Sequence, residues 1–182
     1  MPSNRTGGWL LTAHGHVFYP LDPRPEEIFI EDIAHALSRQ CRFGGHTRHY
    51  YSVAQHSVLV SGAATSTDRG IALCGLLHDA TEAYLVDVPT PVKAELREYR
   101  DIETNLWLAI ADRFSLPAVM PDEVHQADLD VLFTERRDLL PRMGPMWSRE
   151  QEAVPLVDRI VPWTVEFAES EFMARFYELG GT

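Results

Sequence analysis

Leu76-Leu77-His78-Asp79-Ala80-Thr81-Glu82-Ala83-Tyr84 places a histidine and an aspartate side by side at the end of an apolar run. Helical spacing puts His78 and Glu82 one turn apart on one face, with Asp79 beside them. A neutral imidazole and a carboxylate can both ligate a divalent metal, and a second carboxylate one turn on can hold or deprotonate its water. A histidine after an apolar run is also a common hydrogen-bonded core residue. The pair therefore takes its meaning from the residues that accompany it elsewhere in the chain.

The helix expected over Ile71 to Ala83 follows another apolar helix, Tyr51 to Ala64, with Ser52 as N-cap and Val53, Val58, Leu59 and Val60 as apolar positions. His56 lies in its first turns. Upstream, Ile30, Ile33, Ala34 and Leu37 recur at helical spacing behind Glu31-Asp32, and that helix should end before Gly44-Gly45. The loop Cys41 to Thr47 then displays Arg42, Phe43 and His46. Alternatively, Phe43 plugs the core and Arg42 caps the preceding helix. Residues 1–22 read as an extended arm or hairpin turning at Gly15-His16, with His14 and His16 as solvent-exposed turn histidines.

Downstream, Asp87-Val88-Pro89-Thr90-Pro91-Val92-Lys93 should be extended and stiff, with Asp87 and Lys93 projecting from it. An amphipathic helix spans Glu95 to Phe114 and is stopped by Leu116-Pro117. Asp122 is expected to cap the next helix, which runs to Leu139. Asp128 falls among its apolar positions, where a carboxylate needs a partner. Asp130 faces the other way, and Glu135 to Arg137 read as solvated. Residues 141–163 are rich in proline and should be mostly irregular, and Thr164 to Leu179 forms a closing helix. The expected fold class is all-α, a compact helical bundle with a short N-terminal arm or hairpin. It is read as a single domain over 1–182, divided into the arm (1–22), a metal-binding helical core (25–140), and an irregular segment with the C-terminal helix (141–182).

The chain has 182 residues, 45% of them apolar, enough for one well-buried core. Its net charge of −11 argues against a non-specific grip on nucleic acid, which needs clustered Lys and Arg. A small anionic substrate can still bind where a metal and a few local cations neutralise it. Cys41 and Cys74 are too few and too scattered for a disulfide framework or a cysteine zinc site, and read as free thiols. No basic segment leads into an apolar one at the start, and no stretch approaches a membrane span, so no membrane partner and a cytoplasmic location are expected.

His56, His78, Asp79 and Asp128 sit awkwardly for a plain helical core, and together they form a mixed nitrogen and oxygen set. Such a set suits zinc, manganese, cobalt or iron better than calcium or magnesium. At this point the sequence resembles a known family. Histidine in one helix, His-Asp at the end of the next and a distant aspartate resemble the HD-domain superfamily of metal-dependent phosphohydrolases. More narrowly, Ser52-Val53-Ala54-Gln55-His56-Ser57, Leu77-His78-Asp79-Ala80-Thr81-Glu82, Asp87 to Lys93 and Ala127-Asp128 resemble bacterial 5′-deoxynucleotidases and related phage and bacterial nucleotide phosphohydrolases. The resemblance runs from roughly Ile30 to Asp138.

The resemblance implies that His56, His78, Asp79 and Asp128 bind a catalytic cobalt, manganese or zinc ion, with magnesium a further candidate. It implies that Glu82 orients or deprotonates the attacking water and that Asp87 assists in proton handling. Arg42 would bind phosphate, Thr90 and Lys93 would line the same pocket, and Phe43 would stack on the base where the nucleotidases carry a tryptophan. His46, with Arg48 and His49, could add positive charge for a longer phosphate tail. The expected function is removal of the 5′-phosphate from deoxynucleoside monophosphates. The alternatives are release of triphosphate from a deoxynucleoside triphosphate such as dATP, a metal-containing nucleotide sensor without turnover, and a helical scaffold with buried histidines. A homo-oligomer is expected by analogy, with the exposed aromatics of 141–163 as its interface.

Overall fold

A computed structural model describes residues 4–64, 68–141 and 144–181 of the chain. An antiparallel hairpin of β1 (Leu10–Leu11) and β2 (Val17–Phe18) leads into helices α1 (Ile30–Arg39), α2 (Val53–Ala63) and α3 (Arg69–Leu77). The one-turn helices α4 (Glu82–Leu85) and α5 (Thr90–Lys93) follow, then the long α6 (Arg97–Phe114) and α7 (Asp122–Leu139), and finally α8 (Val165–Glu178). The architecture is all-α with a short N-terminal hairpin, as the apolar periodicity predicts.

α2 is the helix on which α1, α3, α7 and α8 pack. The Ser52 hydroxyl accepts the Gln55 N–H at 3.1 Å and so starts the helix. Val53, Ala54, Gln55, His56 and Ser57 are all buried, leaving the first turn no solvent face. Its polar side chains must therefore find partners inside the protein. Gln55 donates to the Val161 carbonyl and accepts the Trp163 N–H, which straps the proline-rich return segment across α2. α3 comes unusually close, because a Cβ on Gly75 would lie 3.3 Å from the Ser61 Cα. That glycine sets the spacing between the two helices that carry His56 and His78.

α3 is shorter than its apolar pattern suggests. It ends at Leu77, and the chain tightens through i→i+3 bonds such as Ala80 N–H to Leu77 O and Glu82 N–H to Asp79 O. Three residues per turn eclipse positions i and i+3, so Asp79 and Glu82 come to the same side. The segment around Thr90-Pro91 is a helical turn rather than an extended strand. Proline is tolerated in a first turn because its missing N–H has no helical partner there. In α7, Pro121 flanks the helix and Asp122 is its first residue, so the Asp122 carboxylate complements the helix dipole instead of capping it.

Residues 144–163 are irregular apart from one turn at Glu150–Glu152. Their two tryptophans are half-buried, with Trp147 packed near Phe43 and Phe133 and Trp163 edge-on to Phe167. They do not form the exposed aromatic surface expected there.

The hairpin is anchored by its two turn histidines, of which His14 is exposed as expected and His16 half-buried. His14 Nδ1 and His16 Nδ1 each approach the Asp32 carboxylate at 2.7 Å, and the His16 ring stacks on Phe29. Burial pushes the Asp32 carboxyl up, but bonds from His16, His14 and Thr12 outweigh it and hold it below the usual carboxylate range. Asp32→Ala is therefore expected to cost about 2–3 kcal/mol at neutral pH, the scale of hydrogen bonds to a buried charged group. Stability drawn from a depressed carboxylate is present above its unfolded pKa of about 3.9 and lost as pH falls through the lower folded value. Urea unfolding at several pH values should show the difference between mutant and wild type shrinking only in that acid range.

Candidate metal centre

His56 enters from the buried first turn of α2, His78 and Asp79 from the turn that ends α3, and Asp128 from the second turn of α7. His56 Nε2 lies 3.3 Å from His78 Nε2, 3.2 Å from Asp128 Oδ1 and 3.5 Å from Asp79 Oδ2. His78 Nε2 lies 3.3 Å from Asp79 Oδ2 and 3.9 Å from Asp128 Oδ1. One ligand atom from each of His56, His78 and Asp128 falls within 4.8 Å of the other two, and this group could hold a metal ion. Asp79 adds a carboxylate oxygen close to both histidines.

The outer contacts decide which ring nitrogens face inward. His78 Nδ1–H donates to the Gly75 carbonyl at 2.8 Å, and His56 Nδ1–H to Glu135 Oε1 at 2.7 Å. Each bond commits Nδ1–H to an outer acceptor and turns Nε2 toward the centre, where the neutral ring presents its lone pair, the arrangement that metal-ligating histidines adopt. Two imidazole nitrogens and two carboxylate oxygens drawn this close need a proton or a cation among them, and the donor set fits a transition metal. Burial lowers the His78 pKa, but Asp79, Asp128 and the Gly75 carbonyl outweigh it and push it up to about 9. Burial raises Asp79, yet His78, His56 and Arg42 hold its carboxyl well below the usual range. The Asp128 side chain is 42% exposed, which leaves that side of the centre open to a substrate.

Glu82 is 5% exposed, and its Oε2 has no hydrogen-bond partner among the described residues. Burial, then Asp79 and Asp87, push its carboxyl well above the usual range. Lys93 Nζ stands 4.0 Å from Glu82 Oε1 and is held at 2.6 Å by Glu103. Asp87 is likewise raised, chiefly by burial. Gln40 positions both acids, its amide donating to the Glu82 carbonyl at 2.8 Å and accepting the Asp87 N–H at 3.1 Å. Val86 between them has φ 63° and ψ 158°, a strained conformation for a β-branched residue.

The remaining predicted site residues distribute unevenly. The Arg42 side chain is 12% exposed, with Nη1 3.4 Å from Asp79 and Nη2 3.1 Å from Glu135, so its charge is already shared by two carboxylates. Phe43 follows it at φ 56° and is half-buried near Trp147 rather than plugged into the core. His46 and Thr90 are exposed, and no contact brings either to the four converging residues. Glu135, expected among solvated residues, is fully buried between His56 and Arg42. Asp130 points elsewhere, accepting from Gln126 and from the Val154 N–H.

A separate surface cleft is lined from α7 by Phe133, Arg136 and Arg137 rather than by Asp128 or Glu135. Its arginines are occupied, Arg136 by Glu150 and the Pro145 carbonyl, and Arg137 by Asp138 and the Leu156 and Asp158 carbonyls. Among the described residues no helix is long and apolar enough to cross a membrane.

No family model matches the chain. A protein of Escherichia coli K12, named uncharacterized protein YfdR, is 40% identical over 173 residues, 94% of this chain and 95% of that one. An uncharacterized protein of Rhodobacter capsulatus is 41% identical over 126 residues, covering 65% of this chain and 64% of its own length.

Proposed function

The chain belongs to the family of Escherichia coli YfdR, and we propose that it is a metal-dependent phosphohydrolase of the HD-domain type acting on deoxynucleotides, with deoxynucleoside 5′-monophosphates as first choice. The observation that carries this reading is the convergence of His56, His78, Asp79 and Asp128 beside a buried, unpartnered Glu82 oxygen. A buried carboxylate oxygen left without a partner costs about 1–3 kcal/mol, which supports a reactive role for Glu82 over a purely structural one.

A divalent ion held there would polarise a phosphoryl oxygen and lower the pKa of a bound water. Glu82, on the same side of the chain as Asp79, takes the proton of the attacking water in this reading. Burial, Asp79 and Asp87 push the Glu82 carboxyl up, which makes its carboxylate a stronger proton acceptor than an ordinary one. Asp87, raised in the same way, returns a proton to the leaving oxygen. Lys93 and Arg42 supply positive charge against the developing charge on the phosphate, each by sharing a cation that carboxylates already hold. That sharing favours a substrate with a single phosphate over a triphosphate, whose longer tail needs more cationic charge. Phe43, which is half-buried and follows Arg42, is the ring offered to the base.

Phosphorus NMR of products tests the proposal directly, using protein loaded separately with manganese, cobalt or zinc and all four deoxynucleoside mono- and triphosphates. Orthophosphate from the monophosphates is expected. Intact triphosphate released from one nucleotide would replace the first choice with the pool-controlling activity, and no product with any metal would refute the hydrolase reading.

A further inference from the structure

Glu135 is the most completely buried acid in contact with the centre, at 0% exposed, and it touches none of the atoms that would face an ion. Its Oε1 accepts from His56 Nδ1 at 2.7 Å, while its Oε2 receives Arg42 Nη2 at 3.1 Å. Both oxygens are thus spoken for, one by the ring behind the centre and one by the Arg42 guanidinium, whose other arm reaches Asp79. A carboxylate placed so deeply without such partners would be expelled or neutralised. Its position seven residues beyond Asp128 puts both on one face of α7, two turns apart. One helix therefore delivers an acid to the front of His56 and another to its back.

We infer that Glu135 is the positioning residue of the metal centre, fixing His56 in the orientation and tautomer that present Nε2, with Arg42 holding Glu135 in place. The inference rests on the metal-centre reading above and is independent of which phosphate ester is cleaved. Without the Glu135 acceptor the His56 ring can rotate or place its proton on Nε2, and the lone pair that faces His78 and Asp128 is lost. Loss of such an outer partner lowers metal affinity by roughly 10–100-fold.

The test uses the full chain with metal alone as the probe. Titration calorimetry with manganese and with cobalt compares wild type, E135A and E135Q, and nitrogen-15 NMR of the zinc-loaded proteins reads the His56 tautomer. E135A is expected to bind either metal roughly 10–100-fold more weakly and to lose the single Nδ1–H tautomer. E135Q keeps an acceptor oxygen without the charge, and should retain the tautomer and most of the affinity. Equal losses in E135A and E135Q with the His56 tautomer unchanged would overturn the inference, because Glu135 would then act only through its charge. Wild-type affinity in a folded E135A would overturn it as well. Should E135A fail to fold, E135Q and the wild-type spectrum decide, and a zinc-loaded wild type with the His56 proton on Nε2 would refute it. None of these readouts involves nucleotide, so a protein that binds metal as described yet hydrolyses nothing refutes the phosphohydrolase reading and leaves this one standing.

Discussion

Glu82→Gln protein is expected to bind its metal with near wild-type affinity and to hydrolyse deoxynucleotides roughly 10²–10⁴-fold more slowly, the usual contribution of a positioned general base. Glu82 is not one of the converging ligand residues, and Gln fills the same volume without accepting a proton. Single-turnover rates and metal titration, run on one preparation, separate the two effects. Unchanged turnover would remove Glu82 from the chemistry. The substitution also carries a stability signature. Burial, Asp79 and Asp87 raise the Glu82 carboxyl in the folded state, so between its unfolded pKa of about 4.3 and that raised value the folded protein holds the extra proton. Stability therefore falls as pH rises through that window. Metal-free Glu82→Gln protein, spared this loss, should melt at or above the wild type at neutral pH and with it near pH 4. A lower melting temperature at neutral pH would mean that the buried carboxylate contributes to the fold rather than to a reaction.

His56→Ala should have the largest effect of any single change at the centre. The ring is fully buried where α2, α3 and α7 meet, and its removal strips Glu135 of a hydrogen-bond donor while leaving a void. Leaving the buried Glu135 carboxylate short of a donor costs about 1–3 kcal/mol, and the void left by the ring adds to that cost. The same change removes the nitrogen that approaches both His78 and Asp128. Wild type at about 100 times its metal dissociation constant gains about 2.7 kcal/mol from binding. Thermal melts with and without manganese or cobalt should show that gain in wild type and none in His56→Ala. Asp130→Asn, on the other face of α7, should keep the full gain. A His56→Ala protein that is still stabilised by metal would place any ion elsewhere.

Much of this was legible from residue types and spacing. Apolar periodicity, the Ser52 cap and the closing helix from Thr164 all follow local rules that tertiary packing left intact. Asp128, an acid among apolar positions of α7, meets His56 and His78 although its side chain stays partly exposed. Glu135 was equally visible by the same arithmetic, since it lies two turns along the same face of α7. Its neighbours Arg136 and Arg137 disguised it as part of a solvated charge run, although each of those arginines is itself committed to the return segment.

Other features depended on contacts between distant parts of the chain. Asp32 looks like an acid complementing a helix N-terminus until the hairpin brings His14 and His16 onto it. The charge of Arg42 looks free for phosphate until Glu135 and Asp79 arrive from α7 and the end of α3. The turn at Thr90-Pro91 went the other way. Two prolines suggested an extended wall, but proline at the start of a helix is as favourable as proline outside one. At the end of α3, the apolar run continues past the point where hydrogen bonding tightens, and that tightening brings Glu82 into line with Asp79.

The most direct test of the metal centre is a crystal of the full chain grown with manganese or cobalt and measured at the absorption edge of that metal. The account predicts one strong anomalous peak within coordination distance of His56 Nε2, His78 Nε2 and the Asp79 and Asp128 carboxylates, with Glu135 still on His56 Nδ1. A metal-saturated crystal with its peak elsewhere, or with no peak at all, would contradict it.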